Sequence, residues 1–341
     1  MLQSLKQLYW DIKYGPKRIF SLRAEGPQRV LEVLGKQWRW RRRLLTRYER
    51  ILYYTRFNDD FSEEDQRYYL DCQFHQRLGK TINWDNPQTF NEKLQWLKLY
   101  YHNPLMTQCA DKVTVRDYIA QKIGEEYLVP SLGVYSTPDE IDFDALPDRF
   151  VLKVNWGSGQ NIICKDKSTL DVAETKKQLY EWMSPENNLY FGCLEWCYKN
   201  IVPRIICEQY IENNSDNHDI YDYKFFCFNG KVVYIMFLAE RQTGLKMAFF
   251  DAQWKKQDFV YSYPMYEKNV SKPDNLSEMI HAAETLAKEF PEVRVDFFRM
   301  NDGRFYIGEF TFYSYAGYCN WNPPEWDLKL GQMLQLPEKW I

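Results

Sequence analysis

A chain of 341 residues with 17% aromatic content, including 26 Tyr and 12 Trp, has enough apolar side chain for a substantial core and length for more than one structural unit. That composition excludes a disordered or low-complexity protein. The eight cysteines form no Cys-x-x-Cys pair, no run of 18 apolar residues occurs, and the start of the chain lacks the apolar stretch of a signal peptide, so reduced thiols in a cytoplasmic protein that neither crosses a membrane nor is exported are expected.

The net charge of −3 conceals an asymmetry: residues 1–56 hold 14 Lys and Arg against four Asp and Glu, which makes this segment +10 and the remainder −13. Gly15-Pro16 and Gly26-Pro27 divide it into short helices, and 1–60 reads as a basic, aromatic-rich helical extension. Trp38-Arg39-Trp40-Arg41-Arg42-Arg43 has the interleaved rings and cations of a helix lying on an anionic membrane surface. The same residues would equally dock on an acidic partner or on the acidic body of this chain. Peripheral contact with the inner face of the membrane, or with a biosynthetic complex, is therefore expected through 1–56. Nucleic acid is not, since no nucleic-acid-binding module accompanies the charge.

Beyond Asn58-Asp59-Asp60 the pattern predicts a helix over 62–77. Thr89 then caps a second helix, with Glu92 completing a capping box, and a third spans 111–123 before Gly124. From Val129 the period changes to strands at 129–134, 150–155 and 161–164, followed by a helix at 171–183. Cys193 and Cys197, four apart, read as one face of a helix rather than a metal clip. Strands resume at 205–211, 223–228, 231–238 and 248–250, with Asn229-Gly230 as a tight hairpin turn. A helix over 273–289 precedes a last hairpin. The expected class is α+β, built as a helical part at 61–128, a first lobe at 129–212 and a second lobe at 213–341.

Three stretches carry chemistry. Lys153 ends a strand just before Gly157-Ser158-Gly159-Gln160, where backbone N–H groups can approach phosphate oxygens without a Cβ in the way; the same residues also suit a plain hairpin loop. It is no Walker A loop, because a strand and not a helix follows. Lys224 shares a strand face with Phe226 and Phe228, a costly place for a cation unless it meets an anion. In the last hairpin, Asp302-Gly303 as a two-residue loop pairs Asn301 with Arg304, Asp296 with Glu309 and Arg294 with Thr311. Two carboxylates so opposed invite a cation, and hard oxygen ligands beside a phosphate site suit Mg²⁺. The plainer readings are a solvated carboxylate, neutralisation by Arg294, or a longer loop with another register.

The order Lys112, Phe150-Val151-Leu152-Lys153 with Gly157-Ser158-Gly159, Glu208-Gln209-Tyr210, Arg294-Val295-Asp296 and Glu309-Phe310-Thr311 resembles the ATP-grasp superfamily. More narrowly it resembles the TupA-like branch, named for teichuronopeptide synthesis. Asn86 to Trp96 and Asp222 to Gly230 extend the likeness, which runs from about residue 68 to 336. The resemblance implies an ATP-grasp fold with two α+β lobes of antiparallel sheet around ATP. It also implies a Mg²⁺-dependent carboxylate-amine ligase that forms an amide through an acyl-phosphate. The implied substrates are carboxylates and amines of a capsule, exopolysaccharide or teichuronopeptide precursor. A phosphotransferase acting on a sugar hydroxyl, a glycosyltransferase of the same pathway and a non-enzymatic scaffold are the alternatives.

By motif, Lys112 and Lys153 would contact phosphates or the adenine side, and Gly157, Ser158, Gly159 and Gln160 would close over the β and γ phosphates. Glu208, Gln209, Tyr210 and Ile211 would form the adenine hinge and Asp222 would meet the ribose. Lys224 would approach the phosphates, and Asp296, Glu309 and Thr311 would hold Mg²⁺. Arg294 and Arg241, with Lys224, would stabilise the transferred phosphoryl group. Two positions depart from the pattern: Thr311 stands where the superfamily usually has Asn, and Trp156 where the branch commonly has His. Tyr313, Tyr315, Tyr318, Asn320 and Trp321 line an acceptor pocket or pack the second lobe, and the packing role is favoured.

Overall fold

The computed structural model describes residues 62–212, 221–240 and 244–340. The readings made for 1–60, and Arg241, lie outside the described residues. Ser62 starts α1 (Glu63–Leu78) by accepting the Asp65 N–H at 3.1 Å, and Gly79, at φ 67°, ends it in the left-handed region. The predicted capping box opens α2 (Phe90–Tyr100): Thr89 accepts from the Glu92 backbone and the Glu92 carboxylate accepts from the Thr89 N–H at 2.9 Å. The helix expected over 111–123 is shorter. Asp111 accepts the Val113 N–H at 2.8 Å, an Asx turn that keeps Lys112 out of the helix, and α4 runs only over Val115–Lys122. Ahead of it lies α3 (Pro104–Ala110), which the sequence reading missed although Asn103-Pro104 is a cap followed by Pro at the first helical position.

The first sheet holds β1 (Ser131–Tyr135), β2 (Phe150–Val154), β3 (Asn161–Cys164) and β4 (Ile205–Gln209) in the order β1-β4-β2-β3, with antiparallel neighbours. Between β3 and β4 run α5 (Val172–Trp182) and the single turn α6 (Tyr190–Cys193). Leu194, at φ 53°, breaks the chain after Cys193, so Cys193 and Cys197 do not share a helix face; all eight cysteines are free.

The second sheet holds β5 (Tyr221–Phe228), β6 (Lys231–Ala239), β7 (Lys246–Phe250), β9 (Glu292–Arg299) and β10 (Phe305–Thr311), ordered β10-β9-β5-β6-β7 and again antiparallel. α7 (Leu276–Ala287) buries Met279, Ala282, Ala283 and Leu286, one helical face, against β5, β6 and β9. Phe225 and Phe297, ring centroids 4.5 Å apart, fill the layer between. β8 (Val260–Tyr261) pairs with β11 (Trp321–Asn322), and α8 (Trp326–Met333) packs on α2.

Both hairpin turns merit comparison with expectation. Asn229 and Gly230 have φ 50° and 76°, and Phe228 pairs with Lys231, as a two-residue type I′ turn requires. The last hairpin differs at its tip. Met300 donates its N–H to the Arg304 carbonyl, Gly303 (φ 88°) donates to Met300, and the loop is therefore Asn301-Asp302-Gly303, three residues and not two. A bulge between Ile307 and Glu309 then restores the count, so Asp296 still faces Glu309 and Arg294 still faces Thr311. Gly308 occupies the bulge, where a Cβ would lie 2.8 Å from the Phe298 ring.

Candidate functional site

Three adjacent strands place the charged residues on one face. Lys224 of β5 pairs with Asp296 of β9, which pairs with Glu309 of β10; one rung along, Phe226, Arg294 and Thr311 stand side by side. Because side chains alternate, Asp222 shares the face with Lys224, and Glu292 shares it with Arg294 and Asp296. Asp296, 2% exposed, is ringed by cations. Arg294 grips it with Nε to Oδ1 at 2.6 Å and Nη2 to Oδ2 at 2.8 Å, and Lys224 donates to Oδ2 as well. Arg294 Nη2 also donates to Thr311 Oγ1 at 2.9 Å and lies 3.7 Å from Glu309. The lysine on the apolar strand face has thus met its anion; Asp222 lies 3.4 Å from the same Nζ.

Lys112 joins this face to the first sheet. Its N–H is held by the Asn155 carbonyl at 3.0 Å, and its Nζ donates to the Gly157 carbonyl at 2.7 Å while lying 3.1 Å from Glu309 Oε2. The Gly157-to-Gln160 segment is the loop of the β2–β3 hairpin, with Gly159 at φ 70° and Ser158 and Gly159 exposed at its tip. Lys153 bonds Glu208 at 2.5 Å, Arg116 of α4 reaches the other Glu208 oxygen at 3.2 Å, and Lys153 Nζ sits 5.7 Å from the centre of the Phe298 ring. Phe298 lies two residues beyond Asp296 on the same strand, so Lys153 faces a ring next to the acid. Glu208 lies between β1 and β2, and the Gln209 N–H goes to the Pro130 carbonyl, so the main chain leaves the ladder only at Tyr210 and Ile211.

The electrostatics follow from the contacts. Burial works to raise Glu309, but Lys112, Lys224 and Arg294 outweigh it and hold the carboxyl down at about 2. At Asp296 burial prevails over the pull of Arg294 and Lys224, and its carboxyl titrates above the ordinary range. Arg294 is buried, yet Asp296 fixes its proton more firmly than usual.

Among the described residues no group of three or more His, Cys, Asp or Glu forms a ready metal cage. Two carboxylates and one hydroxyl on a shared face do fit Mg²⁺, which takes few protein ligands and fills its remaining positions with water and phosphate oxygens. Three protein cations, Lys112, Lys224 and Arg294, already pair with these oxygens.

Trp156 is 3% exposed and donates Nε1 to the Trp182 carbonyl at 3.2 Å, so it packs against the end of α5. Of the ring residues after Thr311, Tyr313, Tyr318 and Trp321 are buried; Tyr315 and Asn320 are exposed. Tyr313, Tyr315 and Ala316 have φ 55°, 51° and 54°, left-handed conformations that cost a non-glycine residue of order 1 kcal/mol or more each. What holds this loop went unread in the sequence. Gln95 Nε2 donates to the Ala316 and Gly317 carbonyls at 3.0 and 2.9 Å, Lys98 Nζ to Ala316 at 2.6 Å, and Asn91 exchanges two bonds with the Cys319 backbone. Glu292 accepts the Tyr313 N–H at 3.1 Å. Asn91, Gln95 and Lys98 stand at i, i+4 and i+7 of a buried helix, and that polar stripe was the available signal.

A search of curated proteins gave no match. Among solved structures, N5-carboxyaminoimidazole synthetase from Staphylococcus aureus aligns at 12% identity and TM-score 0.34, covering 60% of this chain and 44% of that one. D-alanine--D-alanine ligase from Bacillus anthracis, complexed with ATP, aligns at 17% and 0.36, covering 65% and 57%. The chain spans about half the length of such structures. The family described as TupA-like ATPgrasp matches residues 92–335, a span that contains both sheets and every described residue of the ionic face. By that match the chain belongs to the TupA-like ATP-grasp family.

Proposed function

We propose that the protein is an ATP- and Mg²⁺-dependent ligase that joins a carboxylate to an amine. Its substrates would be sugar-linked acids and amines of a bacterial capsule, exopolysaccharide or teichuronopeptide-type precursor. The observation that supports this best is the meeting of Lys112, Lys224 and Arg294 with Asp296, Glu309 and Thr311 beside the Gly157 loop. In this reading a substrate carboxylate oxygen takes the γ-phosphoryl group and ADP leaves. The amine then attacks the acyl carbon, phosphate departs and the amine gives up a proton. Lys112, Lys153 and Lys224 bind phosphate oxygens, the Gly157-to-Gln160 loop covers them, and Tyr210 with Ile211 offers main-chain groups to the base. Arg294 steadies charge on the transferred group. Asp296, Glu309 and Thr311 would hold Mg²⁺, which supplies charge neutralisation at the phosphates. Localisation at the cytoplasmic face of the membrane, through the basic residues 1–56, belongs to the same proposal.

The test begins with thermal stability in MgATP, in ATP with EDTA and in a panel of UDP-sugars. A ligand at about 100 times its dissociation constant adds roughly 2.7 kcal/mol, a readily measured upward shift. Acids and amines are then screened for ADP and free phosphate. Equal amounts of the two, formed only when acid and amine are both present, support the ligase; ADP without phosphate identifies a phosphotransferase, and stabilisation by a UDP-sugar alone overturns the nucleotide-triphosphate site.

A further inference from the structure

The carboxylates of this site are each answered by cations of the same chain. Asp222, Asp296 and Glu309 carry three negative charges, and Lys112, Lys224 and Arg294 answer them with three positive ones. On β4, Glu208 is shared by two further cations, Lys153 and Arg116, and that smaller cluster carries one positive charge in excess. A bare divalent cation would have to displace Arg294 from both oxygens of Asp296, Lys224 from one of them, and Lys112 from Glu309. A polyphosphate meets the opposite field. It is drawn to the five cations and pairs with lysines whose departure from the carboxylates leaves those carboxylates needing a new counter-charge.

Lys112 is the side chain through which the two events are coupled. Its Nζ bonds the Gly157 carbonyl of the glycine loop at 2.7 Å and lies 3.1 Å from Glu309 Oε2, so one ammonium both pins the loop and covers a candidate metal ligand. We propose that Lys112 is a latch that makes divalent-cation binding conditional on a polyphosphate. The triphosphate binds first, without metal. It takes Lys112, which frees the glycine loop to fold over the phosphates and uncovers Glu309, and only then is the cation accepted. The inference rests on the nucleotide site proposed above and adds an order of binding and the residue that sets it.

The experiment uses the full chain and two probes that need no acceptor: inorganic triphosphate in EDTA, and Mn²⁺ alone, each followed by calorimetric titration, with free Mn²⁺ also counted by its electron paramagnetic resonance signal. In the wild type, triphosphate binds well and Mn²⁺ alone binds weakly. Lys112→Met, which removes the charge and keeps the chain length, gains Mn²⁺ binding and loses triphosphate affinity, each by about tenfold, since one like charge is removed from the cation and one opposite charge from the anion. Glu309→Gln moves both the other way: Lys112 is released, so triphosphate tightens, and with a carboxylate ligand gone Mn²⁺ binding weakens further. A folding defect would weaken both ligands together, and these opposed changes separate the latch from it. The latch is overturned if wild-type protein binds Mn²⁺ alone as tightly as Lys112→Met does, or if Lys112→Met weakens both ligands. If no form of the protein binds triphosphate or ATP, the nucleotide site falls, and the gain of Mn²⁺ binding in Lys112→Met is still decided by its own titration.

Discussion

Asp296→Asn separates two accounts of the same carboxylate by the sign of one number. Viewed as one of two acids opposed across a ladder, Asp296 repels Glu309, and its neutralisation should stabilise the sheet by about 0.2–1 kcal/mol. The contacts say the reverse. Asp296 is 2% exposed and accepts from Arg294 through both oxygens and from Lys224, so the amide leaves two buried cations short of an anion. Breaking one side of a buried pair costs about 3–5 kcal/mol, and the retained amide oxygen places this case near the low end, about 3 kcal/mol. With an unfolding entropy of about 2.1 cal/mol/K per residue, a chain of 341 residues shifts by roughly 1.4 °C per kcal/mol, so the melting temperature should fall by roughly 4 °C. Urea unfolding at pH 7 in EDTA, followed by tryptophan fluorescence, measures it, and added pyrophosphate should restore part of the loss by supplying the missing anion. Equal or greater stability of the variant would refute the reasoning.

Other perturbations follow from the same contacts. Gly317→Ala should cost about 2–4 kcal/mol, since its φ of 69° is unfavourable for Ala and the new Cβ would meet Gln95 Nε2 at 2.4 Å and Leu94 Cβ at 2.9 Å. Gly303→Ala, at φ 88° in open space, should cost only about 1 kcal/mol, and urea melts compare the two. Gln95→Leu strips bonds from the Ala316 and Gly317 carbonyls and from Lys98, so a loss of about 2–4 kcal/mol is expected; Lys98→Met leaves Ala316 bonded to Gln95 but takes the donor from the buried Gln95 Oε1, so a smaller loss of about 1 kcal/mol is expected in thermal unfolding. Burial, opposed by the Tyr313 N–H and Arg294, raises the Glu292 carboxyl to about 8. The folded protein therefore keeps a proton that the unfolded chain releases near pH 4.5, and stability should decline as pH rises from about 4.5 to 8. Glu292→Gln should flatten that decline, and pH-dependent melts with the same slope as wild type would contradict it.

Much of the backbone was legible because local chemistry decided it. The Thr89–Glu92 box and the Asn229-Gly230 turn specify their elements within a few residues, and the alternation of Val293-Arg294-Val295-Asp296 leaves little choice of strand face. The helix start at Val115 was not legible, since the Asp111 side chain competes with the helix for the Val113 N–H. At the site, the facing of Asp296 and Glu309 came out right from a count that was wrong at the tip, because the loop's extra residue is absorbed at Gly308. Neutralisation of the acids by Arg294, two residues from Asp296, is within reach of the local pattern; the part taken by Lys112 is not, since its partners Gly157 and Glu309 lie 45 and 197 positions away in the chain. The hold of α2 on the loop after Thr311 depends likewise on contacts that span more than 200 residues.

The bulge at Gly308 divides β10 into two segments with different phase relative to β9. Outward of it, Phe305 to Ile307 follow the three-residue loop; inward, Glu309 to Thr311 follow Asp296, Val295 and Arg294. A residue inserted at the tip can be compensated by removing the bulge residue, and one deleted at the tip by removing the need for a bulge at all, without shifting any side chain of the ionic face. The outer segment thus works as a length adjuster, and selection or engineering can rework the end of this hairpin while the charged rungs below keep their partners.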